Sequence, residues 1–212
     1  IKFGWSVPYY GIGDLVAVMN DVKKSDIDAL VDLYDKEYEI VWGKDKALTR
    51  EHIAEQARIE IALRKFMKDT GANALTTNFQ DLWGMKQLPG LAIQRLLADG
   101  YGFGAEGDWK TAAMVRTFKV MTAGLVKNGK GNAFMEDYTY NLENGKGMDL
   151  GSHMLEVDPQ IAVSKPRVEV HPLGIGGKED PARLVFNAST GPALVSAVVD
   201  MGNRFRCVVN EI

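Results

Sequence analysis

The sequence predicts an α/β domain built on a parallel sheet, followed by an antiparallel, β-barrel-like domain that is incomplete within these residues. Three observations carry this reading. Up to about residue 123, short apolar runs alternate with stretches whose apolar residues recur at helical spacing, the pattern of parallel strands joined through helices. Gly124 to Asn132 (GLVKNGKGN) then has the Gly, Lys and Asn content of a connector. Beyond it, six strand-like runs punctuated by Gly and Pro show no strong helical period, as in an antiparallel sandwich or barrel. The expected division is residues 1–127, a partial α/β domain, and 128–212, the N-terminal part of a β-barrel domain.

Taken in order, Lys2 to Trp5 is a short strand candidate. Ser25 is placed as an N-cap before Ile27, Leu30, Val31 and Leu33, which share a helix face. Thr49 is given the same part for a longer helix whose buried stripe is Ile53, Ala57, Ile59, Ala62, Leu63, Phe66 and Met67, ended by Gly71 as a left-handed C-cap. Asn73 to Thr77 (NALTT) is a strand, Pro89 starts a helix that stops at Gly100, and Tyr101 to Phe103 leads through a loop into a helix over Trp109 to Met121. The later strand runs are Phe134 to Leu142, Met148 to Val157, Arg167 to Pro172, Ala182 to Asn187, Leu194 to Val199 and Phe205 to Val209.

Composition narrows the functional classes. Of 212 residues, 46% are hydrophobic and 25% charged, which excludes a disordered or fibrous chain. The net charge of −3 and the lack of a basic run argue against nucleic acid as a partner. No apolar run reaches the roughly 18–20 residues of a membrane span, and no signal peptide is visible. A single cysteine, Cys207, cannot form a disulfide framework, so a cytoplasmic location is expected. The chain opens on Ile1 and stops on Ile212 inside a strand-like run, so it is expected to be an excerpt of something longer.

The chemistry concentrates at a hairpin. Asn144-Gly145 between two strand runs predicts a two-residue type I′ turn, and that register pairs Glu143 with Lys146 and sets Glu136 opposite His153. Directly opposed residues have Cβ atoms about 4.5–5.5 Å apart on one face, so a carboxylate and an imidazole converge. Such a pair suits Mn²⁺, Mg²⁺, Co²⁺ or Zn²⁺ in a site without thiolates, and equally describes an ordinary Glu–His pair on a hairpin surface. Glu106, in Gly104-Ala-Glu-Gly-Asp-Trp109, follows a strand and precedes a helix, where open α/β sheets bind ligands; a solvated loop residue is the alternative. Asp108 is read as the cap of the following helix.

Other features are discounted. Gly11-Ile12-Gly13 and Gly176-Gly177-Lys178 lack the rest of a nucleotide-binding motif and read as turns. His52 is read as solvated, His171 as a packed residue, and Met148 and Met154 as core filling. No Ser, Cys or Thr stands in an activating motif.

The runs DLWGMKQLPGLAIQRLL (81–97), EGDWKTA (106–112), FMEDYTY (134–140), GSHMLEV (151–157) and GIGGKEDPARL (174–184) together resemble the L-arabinose isomerases, over nearly the whole chain. The resemblance implies an aldose–ketose isomerase that converts L-arabinose to L-ribulose, and D-galactose loosely to D-tagatose, by metal-assisted proton transfer through an enediol. It implies one Mn²⁺ per site held by two glutamates and two histidines, of which Glu106, Glu136 and His153 match. It makes Glu106 and Glu136 the catalytic acid–base pair, and Phe79 by its position a sugar-pocket residue. The family's enzymes are longer three-domain chains that form homohexamers, in which a neighbouring subunit completes the active site. The fourth ligand, a histidine, falls outside these residues, so the piece alone is expected to be inactive. The competing readings are a scaffold or oligomerisation unit of such an enzyme, and another metal-dependent sugar isomerase such as one for fucose.

Overall fold

The computed structural model describes residues 3–125 and 131–212. The expected junction between residues 127 and 128 lies outside the described residues, as does Lys2 at the head of the first expected strand. From Phe3 to Trp5 there is no strand. The first element is instead a helix, α1 (Ile12–Asn20), with Gly11 as its N-cap residue and Gly13 inside its first turn. The turn expected at Gly11-Ile12-Gly13 is overridden by Ile12, Leu15, Val16 and Met19, which recur at helical spacing and bury Leu15 and Met19.

Helix α2 (Lys24–Glu37) begins one residue before Ser25, whose hydroxyl bonds the Asp26 carboxylate and caps nothing. Helix α3 (Lys46–Thr70) begins at Asp45, which accepts from the Leu48 N–H at 3.0 Å. Thr49, the expected cap, lies a turn inside and donates to the Asp45 carbonyl. The better cap wins because Lys46, Ala47 and Leu48 favour helix themselves. At the other end Gly71 has φ 69°, and Ala72 N–H reaches the Met67 carbonyl at 3.0 Å, the expected left-handed stop. Helix α4 (Gly90–Ala98) follows Pro89, and α5 (Trp109–Met121) has the expected bounds.

The class is mixed α/β, and a parallel sheet is present. Strand β2 (Ala74–Thr77) runs parallel to β3 (Gly102–Ala105), with α4 between them in the chain. The two-residue β1 (Glu39–Ile40) pairs in parallel with β6 (Arg167–Val170), which pairs antiparallel with β7 (Ala182–Val185). Two further antiparallel pairs are β4 (Glu136–Asn141) with β5 (Met148–Ser152) and β8 (Leu194–Asp200) with β9 (Phe205–Glu211). Among the described residues these sheets stay small and none closes into a barrel. These strands carry exposed apolar side chains, among them Leu194, Val195, Val209 and Met148, and Met154 just past β5 is exposed too, so neither methionine fills the core as expected.

Two buried clusters join the helices to the strands. In one, Met19, Ile59, Leu63, Ile93, Leu97 and Phe103 pack with Phe134, Leu155 and Leu173; in the other, Val31, Tyr34, Ile53 and Leu91 pack with Val168 and Leu184. Residues from beyond position 131 therefore close both cores. Helix α5 lies directly on the β3 backbone, because Gly102 and Gly104 offer no side chain there. A Cβ on Gly102 would fall 2.2 Å from the Ala112 carbonyl oxygen, and one on Gly104 2.6 Å from that of Asp108.

Candidate metal centre

Strand β3 delivers Glu106 in an unusual conformation. Gly107 N–H donates to the Thr77 carbonyl of β2 at 3.1 Å, and between Ala105 and Gly107 the backbone of Glu106 takes φ 59°. Glu106 is the one non-glycine residue with positive φ among the described residues. An L side chain held there costs about 1–2 kcal/mol, a strain that the flanking structure must impose. The restraint on the far side is Asp108, which caps α5 as expected. Its carboxylate accepts from Lys110 N–H and Thr111 N–H, both at 3.0 Å, and from the Thr111 hydroxyl at 2.7 Å. Partial burial raises its pKa, but the Thr111 and Lys110 bonds outweigh that and leave it below the ordinary carboxylate value. The Glu106 side chain itself is exposed.

The β4–β5 hairpin brings Glu136 and His153 together by a different register from the expected one. Asn141 pairs Met148, Tyr140 pairs Asp149 and Thr139 pairs Leu150, as a two-residue loop requires. A bulge at Tyr138 then shifts the ladder, so Glu136 faces Ser152 and His153 lies just past the strand end. The turn is not type I′ either, since only Gly145 has positive φ (76°) and type I′ needs it at both central residues. Lys146 N–H closes the turn onto the Glu143 carbonyl, and the expected Glu143–Lys146 ion pair is present at 3.2 Å.

His153 is the best-anchored group of the three. Its side chain is only 11% exposed, and Nδ1 sits 2.5 Å from Oε2 of Glu156, which is itself 7% exposed. The imidazole stands edge-on to Phe134 at 4.9 Å, and Phe134 in turn packs on Phe103 of β3 at 6.0 Å. Nε2 faces Oε1 of Glu136 at 4.0 Å, beyond hydrogen-bonding reach. Burial pushes the imidazole pKa down, but Glu156 first, then Glu136 and Glu106, outweigh it and hold it above the ordinary histidine value. The Tyr138 hydroxyl shares this field: burial and then the charges of Glu136, Glu156 and Glu106 raise its pKa.

The donors suit a divalent cation in kind. A neutral imidazole whose Nδ1–H is held by a carboxylate presents Nε2 to a metal, and Glu156 supplies that anchor. The closed part of the set is the Glu136–His153 pair. Glu106 acts on it through its charge, and among the described residues no three His, Cys, Asp or Glu side chains surround one point.

Glu156, Tyr138 and Phe134 are the residues that sequence reasoning missed at this centre. Phe79 lies in a 3-10 turn after β2, partly buried against the larger core cluster with Ile175. His171 is exposed and bonds Glu169 at 2.7 Å, so it is not packed as expected. His52 is half-buried and in contact with the Gln87 amide at 2.9 Å, not solvated. Both line a cleft with Trp42 and Glu169 that includes none of Glu106, Glu136 and His153. No helix among the described residues is long and apolar enough to cross a membrane.

Comparison with known proteins adds a second line. A family described as the L-arabinose isomerase central domain matches residues 1–124, and one described as the L-arabinose isomerase C-terminal domain matches residues 131–212. The whole chain aligns with an L-arabinose isomerase of Geobacillus stearothermophilus at 58% identity, covering 42% of that protein. It is 57% identical to one from Clostridium beijerinckii and 53% identical to one from Klebsiella pneumoniae, again over all of this chain and 42% of each relative.

Proposed function

The chain belongs to the L-arabinose isomerase family, and from that premise we propose that it forms part of an aldose–ketose isomerase interconverting L-arabinose and L-ribulose, with D-galactose to D-tagatose as a slower reaction. It spans about two fifths of its relatives' length, so the activity is assigned to the full protein. The observation that carries the reading is the His153 imidazole, held by Glu156 at Nδ1 and turned at Nε2 toward Glu136.

In this reading Glu106, Glu136 and His153 would hold one Mn²⁺, and a further ligand would come from outside these residues. A bound divalent cation would polarise the sugar carbonyl and acidify the adjacent C–H. The protein groups do the rest. One of the carboxylates of Glu106 and Glu136 takes the C2 proton from the open-chain aldose while the carbonyl oxygen on C1 gains one, giving the enediol. The hydroxyl on C2 then loses its proton to become the ketone, and a proton is returned to C1. The strained φ of Glu106 supports a positioned role for that side chain, since structure stores strain where geometry matters. In the same reading Tyr138, amid the same glutamates, would bond a sugar hydroxyl, and Phe79 would line the pocket.

The antiparallel pairs, with their exposed apolar faces, are read as part of a barrel completed by the rest of the chain, and the enzyme as a cytoplasmic homohexamer. The test is ketose formation from L-arabinose by the full-length protein with Mn²⁺, before and after Glu136→Ala. Loss of at least two orders of magnitude in kcat is expected. Wild-type turnover in the variant would refute the assignment.

A further inference from the structure

Two segments carry two of the candidate ligands, Glu106 and His153. The first is β3 with α5, where Gly102 and Gly104 let the helix seat on the strand backbone, so Glu106 moves with α5. The second is the run from His153 to Asp158. It is tied to α4 and β7: the Gln94 amide donates to the Val157 carbonyl at 3.0 Å, and Arg183 donates to the Met154 carbonyl at 2.8 Å. Leu155 of the second segment shares the larger core with Phe103 and Val115, and one polar tie, an ion pair, also joins it to α5. Lys119, in the last turn of α5, meets the Asp158 carboxylate, with both side chains almost wholly buried at 3% and 0% exposure. The same ammonium donates to Gln160 Oε1 at 2.8 Å, and Asp158 accepts from the Gln160 N–H at 2.8 Å.

We propose that the buried Lys119–Asp158 pair is a positioning device for the metal centre, setting the Glu106 unit against the His153–Glu156 segment. An ion pair withdrawn from water is a poor way to add stability, because an apolar pair of similar volume serves as well or better; what it supplies is a fixed geometry. Lys119 lies ten residues beyond Trp109, about 15 Å along the helix, so a shift at this end tilts the end that carries Glu106. The inference rests on the metal-site reading above.

The test uses the metal-stripped full-length protein titrated with Mn²⁺ alone, free Mn²⁺ being followed by electron paramagnetic resonance, with Tm measured in parallel. In the double variant Lys119→Met/Asp158→Leu, Tm is expected to stay at or above the wild-type value while the Mn²⁺ Kd weakens about 10-fold, the low end for groups that act through a ligand's surroundings. In Asp158→Glu, which keeps the charge but adds a methylene, the Kd is expected to weaken by a smaller factor; this variant decides the matter if the double variant does not fold. A wild-type Kd in these variants, with Glu136→Ala weakening it, would overturn the positioning role and leave the site reading standing. A wild-type Kd in Glu136→Ala would remove the site reading and this inference with it.

Discussion

Replacing Glu156 by Gln tests whether the carboxylate sets the state of His153. Both side chains are buried and their polar atoms are 2.5 Å apart, so solvent screens the pair little. A hydrogen bond to a charged group is worth about 1.5–3 kcal/mol, and for a chain of this size each kcal/mol moves Tm by about 2–4 °C, which sets a loss of about 3–12 °C when the imidazole is charged. The sign with pH follows from the raised pKa of His153. The charge-dependent stabilisation is whole below the unfolded histidine pKa of about 6.5 and is lost as pH rises through the higher folded value. The Tm difference between wild type and Glu156→Gln is therefore expected to be larger at pH 5 than at pH 9, where only a bond from a neutral imidazole remains. An NMR titration gives the microscopic check, because the chain has three histidines and their signals separate readily. With Glu156 neutral, burial gains weight and the His153 midpoint should fall. An equal Tm difference at both pH values, with an unmoved midpoint, would refute the reasoning.

Other substitutions probe the frame around the site. Gly104→Ala places a methyl 2.6 Å from the Asp108 carbonyl oxygen and 2.8 Å from the Ala112 nitrogen, backbone atoms that cannot swing away; a loss of about 1–3 kcal/mol or more is expected in chemical denaturation. Glu106→Gly relieves the φ of 59° and should raise stability by up to about 1 kcal/mol while abolishing isomerase activity, and a fall in Tm would argue against strain at this position. Asp108→Ala removes the cap of α5 and should cost about 0.5–2 kcal/mol. Because the folded pKa of Asp108 is depressed, that difference should be present above the ordinary carboxylate range and shrink as acidification passes through the folded value, a trend that Tm against pH will show.

Much of this fold is legible in the sequence where a local signal has no competitor. Gly71 ends α3 because few residues tolerate its φ of 69°, and Asp108 caps α5 because its carboxylate reaches two N–H groups one turn on. The errors come where two local signals compete. Thr49 and Asp45 both cap well, and the helix takes the earlier one; Gly11 and Gly13 suggest a turn, yet the burial of Leu15 and Met19 pulls them into a helix. Strand β1 carries only two residues and exists through its pairing with β6, more than a hundred residues away, so no window of sequence contains the reason for it.

The hairpin shows why a wrong register still brings the same two side chains near each other. Hairpin connectivity confines Glu136 and His153 to the same end of a two-stranded ribbon. A bulge displaces the ladder by one residue, which within a strand would turn the side chain to the other face, but His153 lies just past the end of β5 and is not held to that alternation. The 4.0 Å approach thus survives the loss of the direct pairing. Glu156 was illegible for a different reason. Its spacing of three from His153 brings side chains together on a helix, but this run is neither helix nor strand, so no periodicity flags it. Its contact arises because the chain leaves β5 and turns under Phe134, and that turn is held by Arg183 on the Met154 carbonyl and Gln94 on the Val157 carbonyl, partners from distant elements. The approach of Glu136 to His153 is therefore written locally in this chain, while the orientation of the imidazole depends on tertiary bonds that local sequence does not contain.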